Sequence, residues 1–270
     1  MIITSFSNPK IKAIRKLDQK KFRQEMGVFF VEGLRTVGEA IQTGAEIKSL
    51  VIAPDLLVSD FGQSIIHDPA LADVERIEVS AEIYGKIAHK QGPQGIGAVV
   101  RQNWSPLDGI TVQSDDLWVA LDSVSDPGNL GTIMRTADGV GTRGIILLGD
   151  STDPYDPTAV KASMGALFSL VLAQAGWDRL LAWKEKNNLM LVGTSDKADM
   201  GYRSVKYNRP LLLLMGSERH GLPDQILGSC DHVVSIPMEG RSDSLNLAVA
   251  TGVMLYEIYD QTSKLDIIEL

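Results

Sequence analysis

Pro210-Leu211-Leu212-Leu213-Leu214-Met215-Gly216-Ser217-Glu218-Arg219-His220-Gly221 is an unbroken apolar run that ends in a polar loop bounded by glycines. An apolar run of this length, with no polar alternation, reads as a strand buried on both faces, as in a parallel sheet. Polar residues just past the carboxyl end of such a strand sit where open α/β sheets bind ligands. A second stretch, Ile236-Pro237-Met238-Glu239-Gly240, leads through Ser244-Leu245-Asn246 into an apolar helix. Together the two stretches read as a ligand pocket at the end of a sheet.

The surrounding residues supply the rest of that sheet. Leu117–Leu121, Gly144–Leu148, Phe168–Ala173, Leu189–Thr194 and His232–Ile236 are further strand-like runs. Helical periodicity falls between them, from Asn129 to about Asp138, around Thr158–Ser163, at Trp177–Lys186 and from Ser244 to about Gln261. Such alternation predicts an α/β fold with a mostly parallel sheet covered on both faces. Upstream, Ser7-Asn8-Pro9 starts a helix carrying Ile11, Ile14 and Leu17. Strands at Val28–Val31, Ile47–Ala53, Ile77–Val79 and Ile96–Val100 then alternate with helical stretches after Gly33, near Asp60–Ile66 and from Ser80, forming a small α/β unit. The turn-rich Gln102–Asp116 separates the two. The expected organisation is a domain over residues 1–102, a linker over 103–116 and a second domain over 117–270.

The 270 residues suffice for two domains, and no apolar run reaches the length of a membrane span. The polar, basic N-terminus does not read as a secretory signal, so a cytoplasmic protein with no membrane partner is expected. The lone Cys230 reads as a small packed residue. No pair of His or Cys stands at ligand spacing, so no metal is expected. A net charge of −8 argues against a surface that coats nucleic acid generally. Yet Lys10, Lys12, Arg15, Lys16, Lys20, Lys21 and Arg23 are opposed only by Asp18 through residue 24, a local basic face that reads either as a nucleic-acid contact or as an ordinary solvated helix surface.

Three loops that follow strands of the second domain could carry chemistry. In the first, Pro127-Gly128 turns into a helix that presents Asn129 at its start and Arg135 on a largely apolar surface, where a guanidinium must reach solvent or an anion. The second holds Glu218 and His220 between Gly216 and Gly221, without the three-glycine dinucleotide pattern. In the third, Ser244 reads as the cap of the last helix, and Asn246 as a polar side chain in need of partners.

In this order and on these strands, the three loops resemble the motifs of the SpoU/TrmH family of RNA ribose 2′-O-methyltransferases, within the SPOUT superfamily. Pro127-Gly128-Asn129-Leu130-Gly131 with Arg135 resembles the first motif. Gly216, Glu218 and Gly221 resemble the second, and Ile236-Pro237-Met238 with Ser244-Leu245-Asn246 the third. Asp156-Pro157 and Ala162-Ser163-Met164-Gly165-Ala166 are also family-like, and Lys21–Gly44, with Phe29, Glu32-Gly33 and Arg35, looks like the substrate-binding domain of ribosomal-RNA members.

The resemblance implies a trefoil-knotted C-terminal domain, a homodimer formed through it, and a site that draws on both subunits. It also implies bound S-adenosylmethionine, with the backbone around Thr194, Gly216, Ile236 and Leu245 holding its adenosine and Leu214, Met215 and Met238 as apolar neighbours, Ser244 lining the same site. Arg135 is expected to be central to methyl transfer. Because a guanidinium keeps its proton near neutral pH, it suits stabilising a developing alkoxide and gripping phosphate. Asn129, Glu218, Ser244 and Asn246 would orient Arg135 and the ribose. The basic N-terminal residues and Arg35 would contact RNA, with ribosomal RNA the leading substrate and transfer RNA the alternative. Two other readings stand beside it: a non-catalytic RNA-binding module of the same fold, and a dehydrogenase of ordinary doubly wound fold, which lacks its glycine fingerprint.

Overall fold

The computed structural model describes residues 1–89, 92–241 and 244–263. Two compact units emerge, one of Met1–Asn103 with Asp153–Ser169 and the other of Trp104–Thr152 with Leu170–Leu270. The contiguous division expected from the sequence does not anticipate the return of Asp153–Ser169 to the first unit.

In the first unit the chain runs through α1 (Pro9–Lys16), α2 (Lys20–Met26), β1 (Val28–Glu32), α3 (Leu34–Gln42), β2 (Ile47–Ile52), α4 (Asp60–Ile66), β3 (Glu75–Glu78), α5 (Ala81–Ile87) and β4 (Ile96–Arg101). The helix starts follow local chemistry: Asn8, Ser59 and Ser80 cap α1, α4 and α5 through their side chains. The basic N-terminal run forms two helices, with Leu17–Gln19 between them and Gly27 closing α2 in the left-handed conformation. The sheet has the order β1-β4-β2-β3, with β4 antiparallel to β1 and β2 and β2 parallel to β3. Ile11, Ile14 and Leu17 pack onto it with Ile83, Tyr84 and Ile87.

The second unit opens with β5 (Leu117–Asp122), α6 (Pro127–Gly139) and β6 (Gly144–Leu148). After the return segment, which carries α7 (Pro157–Ser163), come β7 (Val171–Gln174), α8 (Trp177–Lys186), β8 (Met190–Thr194), β9 (Leu211–Met215), α9 (Asp224–Leu227), β10 (His232–Val234) and α10 (Leu247–Thr262). The strand expected at Phe168–Ala173 starts later, at Val171, because Phe168 lies in a 3-10 turn and stacks on Phe29 of the first unit's sheet, ring centres 6.1 Å apart. The sheet is parallel throughout, in the order β10-β8-β9-β5-β6-β7.

Leu211–Met215 is buried along its whole length, with Leu121 opposite Met215 in the register of β5 and β9. Burial is worth about 1.5–3 kcal/mol per large apolar side chain, several times an exposed ion pair, so it places this strand at the centre of the sheet. From β5 the chain steps outward to β6 and β7 on one side, whereas β8 and β10 lie on the other. The strand order therefore reverses at β5 and β9, and ligands of open α/β sheets collect at the carboxyl ends of strands at such a reversal. The edge-to-face pair Trp118–Trp183, with centroids 5.4 Å apart, sits in the core on one face, and α10 packs against α6.

Candidate active site

Both strands at the reversal lead into polar loops. Asp122 ends β5, and Asp126 then caps α6 by accepting the Asn129 N–H at 2.7 Å, with Pro127 in the first turn, where its missing N–H costs nothing. This fixes Asn129 at the start of α6 with its side-chain amide free. Its Nδ2 donates to Glu218 Oε1 at 3.2 Å. Glu218 is carried there by the loop after β9, which folds back on itself: the Gly221 N–H donates to the Ser217 carbonyl at 3.0 Å. A Cβ on Gly216 would lie 2.2 Å from the Gly221 carbonyl carbon, so only glycine allows this return.

The other carboxylate oxygen of Glu218 accepts from the Ser125 N–H and hydroxyl, both at 3.3 Å. Partial burial alone would raise the carboxyl's pKa. Its hydrogen bonds from its own N–H, Asn129 and Ser125 outweigh that and hold it below the usual carboxylate value. Glu218 is thus an ionised acceptor at neutral pH.

On the far side of Asn129, its Oδ1 accepts from Asn246 Nδ2 at 3.0 Å. Asn246 Oδ1 in turn accepts from the N–H groups of Ala248 and Val249, at 2.9 and 3.3 Å. The cap of α10 is therefore Asn246 rather than Ser244, which stands too early to reach the first turn of a helix that begins at Leu247. Asn246 is exposed, not buried as the apolar sequence around it suggested, and it has the partners it was expected to need.

A cavity of about 940 Å³ opens beside this network at the carboxyl ends of β8, β9 and β10. Thr194, Met215, Gly216, Ile236, Met238, Ser244 and Leu245 line it together with Glu218. Leu214 does not: its side chain is fully buried in the core cluster on one face of the sheet, and its carbonyl takes the Thr194 hydroxyl at 3.5 Å. Leu222, Leu247 and Ala250 line the cavity and went unnoticed in the sequence, as did Ser125 beneath Glu218. The Asp126-Pro127 pair, a cap followed by a first-turn proline, was the one local signal for where α6 begins.

Arg135 lies on the exposed side of α6 and makes no hydrogen bond or ion pair among the described residues. Six residues after Asn129, it is displaced by roughly 9 Å along the helix and about 120° around it. It does not line the cavity of its own chain.

The basic residues of the first unit divide. Lys12, Arg15, Lys20 and Lys21 are exposed, Lys10 pairs with Glu75, and Lys16 sits over the Phe22 ring at 5.0 Å. Arg23 is not a surface cation. Only 1 % exposed, it pairs with Asp153 at 2.7 Å and Asp156 at 3.4 Å and donates to the carbonyls of Leu17 and Asp18.

Residues 116–256 match the SpoU rRNA Methylase family, and residues 8–98 the MRM3-like substrate binding domain. A 23S rRNA (uridine(2479)-2′-O)-methyltransferase of Streptomyces viridochromogenes is 32% identical over 252 residues, 91% of this chain and 87% of that protein. A 23S rRNA (guanosine(2553)-2′-O)-methyltransferase of Bacillus subtilis is 26% identical, over 95% of this chain and 98% of its own. Among solved structures, an AdoMet-bound rRNA methyltransferase from Sinorhizobium meliloti superposes with a TM-score of 0.88 at 38% identity, covering 96% of this chain and 97% of that one. With the family match covering more than half of the chain and a relative 32% identical over nearly the full length of both proteins, the chain belongs to the SpoU rRNA methylase family.

Proposed function

We propose that this protein methylates the 2′-hydroxyl of a ribose in RNA, with S-adenosylmethionine as donor and 23S ribosomal RNA as the favoured substrate. The observation that carries the reading is the chain of hydrogen bonds Ser125–Glu218–Asn129–Asn246 beside the cavity at the sheet's reversal. Glu218, Asn129 and Asn246 are among the residues in which the sequence resembles the family motifs, and the two relatives are named for ribose methylation in 23S rRNA. Their names differ in the base, uridine against guanosine, so the shared chemistry is that of the sugar.

The cavity fits the donor. It is large enough for a nucleoside-sized ligand, and the tight return at Gly216 brings backbone to its wall. Met215, Ile236 and Met238 offer apolar surface for adenine. Bound there, S-adenosylmethionine would supply an electrophilic methyl group on a sulfonium. The residues of this chain do the rest. Arg135, exposed and unpaired among the described residues, faces the negative charge that grows on the ribose oxygen as its proton passes to water, and grips the neighbouring phosphate. Asn129 and Asn246, locked to ionised Glu218, hold the ribose. Ser244 orients the nucleotide at the cavity wall.

Arg135 stands outside the cavity of its own chain, which supports a homodimer in which each subunit lends its arginine to the other's site. β9 is inserted between β8 and β5, both earlier in the chain, an order that supports a knotted C-terminal segment. The first unit, with the MRM3-like match, serves as the RNA-binding part. No helix among the described residues is long and apolar enough to cross a membrane, in keeping with a cytoplasmic site of action.

The test is incorporation of tritiated methyl from S-adenosylmethionine into 23S ribosomal RNA by the purified protein, followed by mapping of the modified ribose. One 2′-O-methyl position is expected. Label on transfer RNA alone would replace the substrate, and binding of RNA with no label on either would leave the non-catalytic module as the correct reading.

A further inference from the structure

The return segment was family-like in sequence but has no part in the site described above. Its placement gives it one. Arg23 binds both Asp153 and Asp156, Tyr155 packs on Phe29 with ring centres 4.6 Å apart and donates to the Asn103 carbonyl at 3.0 Å, and Phe168 stacks on the same Phe29. These contacts fix α7 against β1 in the first unit. A small recess then forms between α3 and α7, lined by Arg35 and Thr36 on one helix and by Val160, Lys161 and Met164 on the other side.

Arg35 and Lys161 are both exposed, and neither makes an ion pair or hydrogen bond among the described residues. Glu32, a carboxylate in the lining, accepts the His89 backbone N–H at 2.9 Å and keeps its charge, so the two cations outnumber it, and His89 Nε2 meets Asp18 at 3.0 Å. Two cations from separate elements thus flank one spot on a protein of net charge −8. The recess holds about 30 Å³, room for about one water. No more than a water fits inside, so a ligand of these two cations would lie across the rim.

We infer that Arg35 and Lys161 together grip a backbone phosphate of the RNA substrate at the rim of the α3–α7 recess. The inference rests on the proposed action on RNA. It makes the return segment, which falls within the residues matching the methylase family, a part of the RNA-binding unit. Anchoring α7 in advance spares the entropy of ordering Lys161's backbone on binding.

The test measures affinity for in vitro transcribed 23S ribosomal RNA as a function of salt, for the natural protein, Arg35→Gln, Lys161→Gln, the double variant and Lys161→Arg. Each lost phosphate contact lowers the slope of log K against log salt by about 0.7–0.9. The double variant, which loses the one phosphate contact, is expected to show that drop, and each single glutamine variant, which keeps one of the two cations, a smaller one. Lys161→Arg should keep the natural slope. S-adenosylmethionine binding by calorimetry and thermal melting should be unchanged in all, which separates loss of a contact from loss of structure. A double variant with the natural slope overturns the site while leaving the proposed function standing. A natural protein that binds no ribosomal RNA overturns both.

Discussion

Asn246 and Asn129 are joined by a single hydrogen bond, Nδ2 to Oδ1 at 3.0 Å, whose direction is dictated from both ends. The N–H groups of α10 can only donate, so they claim Asn246 Oδ1 and leave its Nδ2 to face Asn129. Asn129 must then turn its own Nδ2 to Glu218, whose two oxygens both accept and so favour the ionised carboxylate. The start of the last helix thereby sets the charge state preferred by a carboxylate on another loop.

Replacing Asn246 by Asp keeps the cap but reverses this chain. A second carboxylate oxygen would take the Asn129 amide, turning its carbonyl toward Glu218, acceptor against acceptor. The Glu218 pKa should rise, read by carbon NMR titration of its carboxyl, with little change in thermal stability. Asn246→Ala, which removes the cap, should cost about 0.5–2 kcal/mol in urea denaturation. An unshifted Glu218 in the Asp variant would show that the asparagines do not transmit the helix end.

Glu218 also leaves a mark on stability against pH. Its folded pKa lies below the ordinary value of 4.5, so the folded state favours the ionised form. That contribution is fully present above the unfolded pKa and is lost as pH falls through the folded one. Urea midpoints taken from neutral pH down into the acid range should fall less steeply for Glu218→Gln than for the natural protein, the curves converging at the acid end. Parallel curves would remove Glu218 from the account.

Arg23 shows why charge alone misleads. Its partners Asp153 and Asp156 lie some 130 residues away in sequence, so the basic run reads as a uniform face until the chain is folded. Removing one partner of a buried pair strands the other charges, a cost of about 3–5 kcal/mol. Arg23→Ala should lose that much stability in urea, whereas exposed Lys12→Ala should stay within about 0.5 kcal/mol. Equal small effects would place Arg23 among the surface cations after all.

What the sequence revealed and concealed follows the same division between local and distant causes. Leu211–Met215 was legible because an apolar run needs only its own residues to declare itself, and so was α6, although it starts at Pro127 behind the Asp126 cap and not at Asn129 after a Pro127-Gly128 turn. Leu214 was misplaced because a strand buried on both faces has no alternation to say which side chains meet the ligand. Ser244 and Asn246 are both good caps two residues apart, and only the partner of Asn246, on a helix more than a hundred residues earlier, selects between them. The return of Asp153–Ser169 likewise depends on pairs that no local pattern holds.

Arg135 gives the sharpest test of mechanism. Among the described residues it has no hydrogen-bond or ion-pair partner to lose, so Arg135→Ala should leave folding and S-adenosylmethionine binding by calorimetry nearly intact. Methyl transfer should nevertheless fall by about two to three orders of magnitude or more, the effect of deleting a group that meets charge developing in the transition state. Arg135→Lys should recover only part of the loss, since an ammonium lacks the planar fork that can hold an alkoxide and a phosphate together. If the arginine acts across a dimer, mixing Arg135→Ala with a cofactor-blocked Gly216→Val protein should restore activity, because one of the two mixed sites then receives both an intact cavity and an intact arginine. Near-normal turnover in Arg135→Ala would sink the assignment, and failure of the mixture to recover activity while it forms mixed dimers would confine the arginine to its own chain's site.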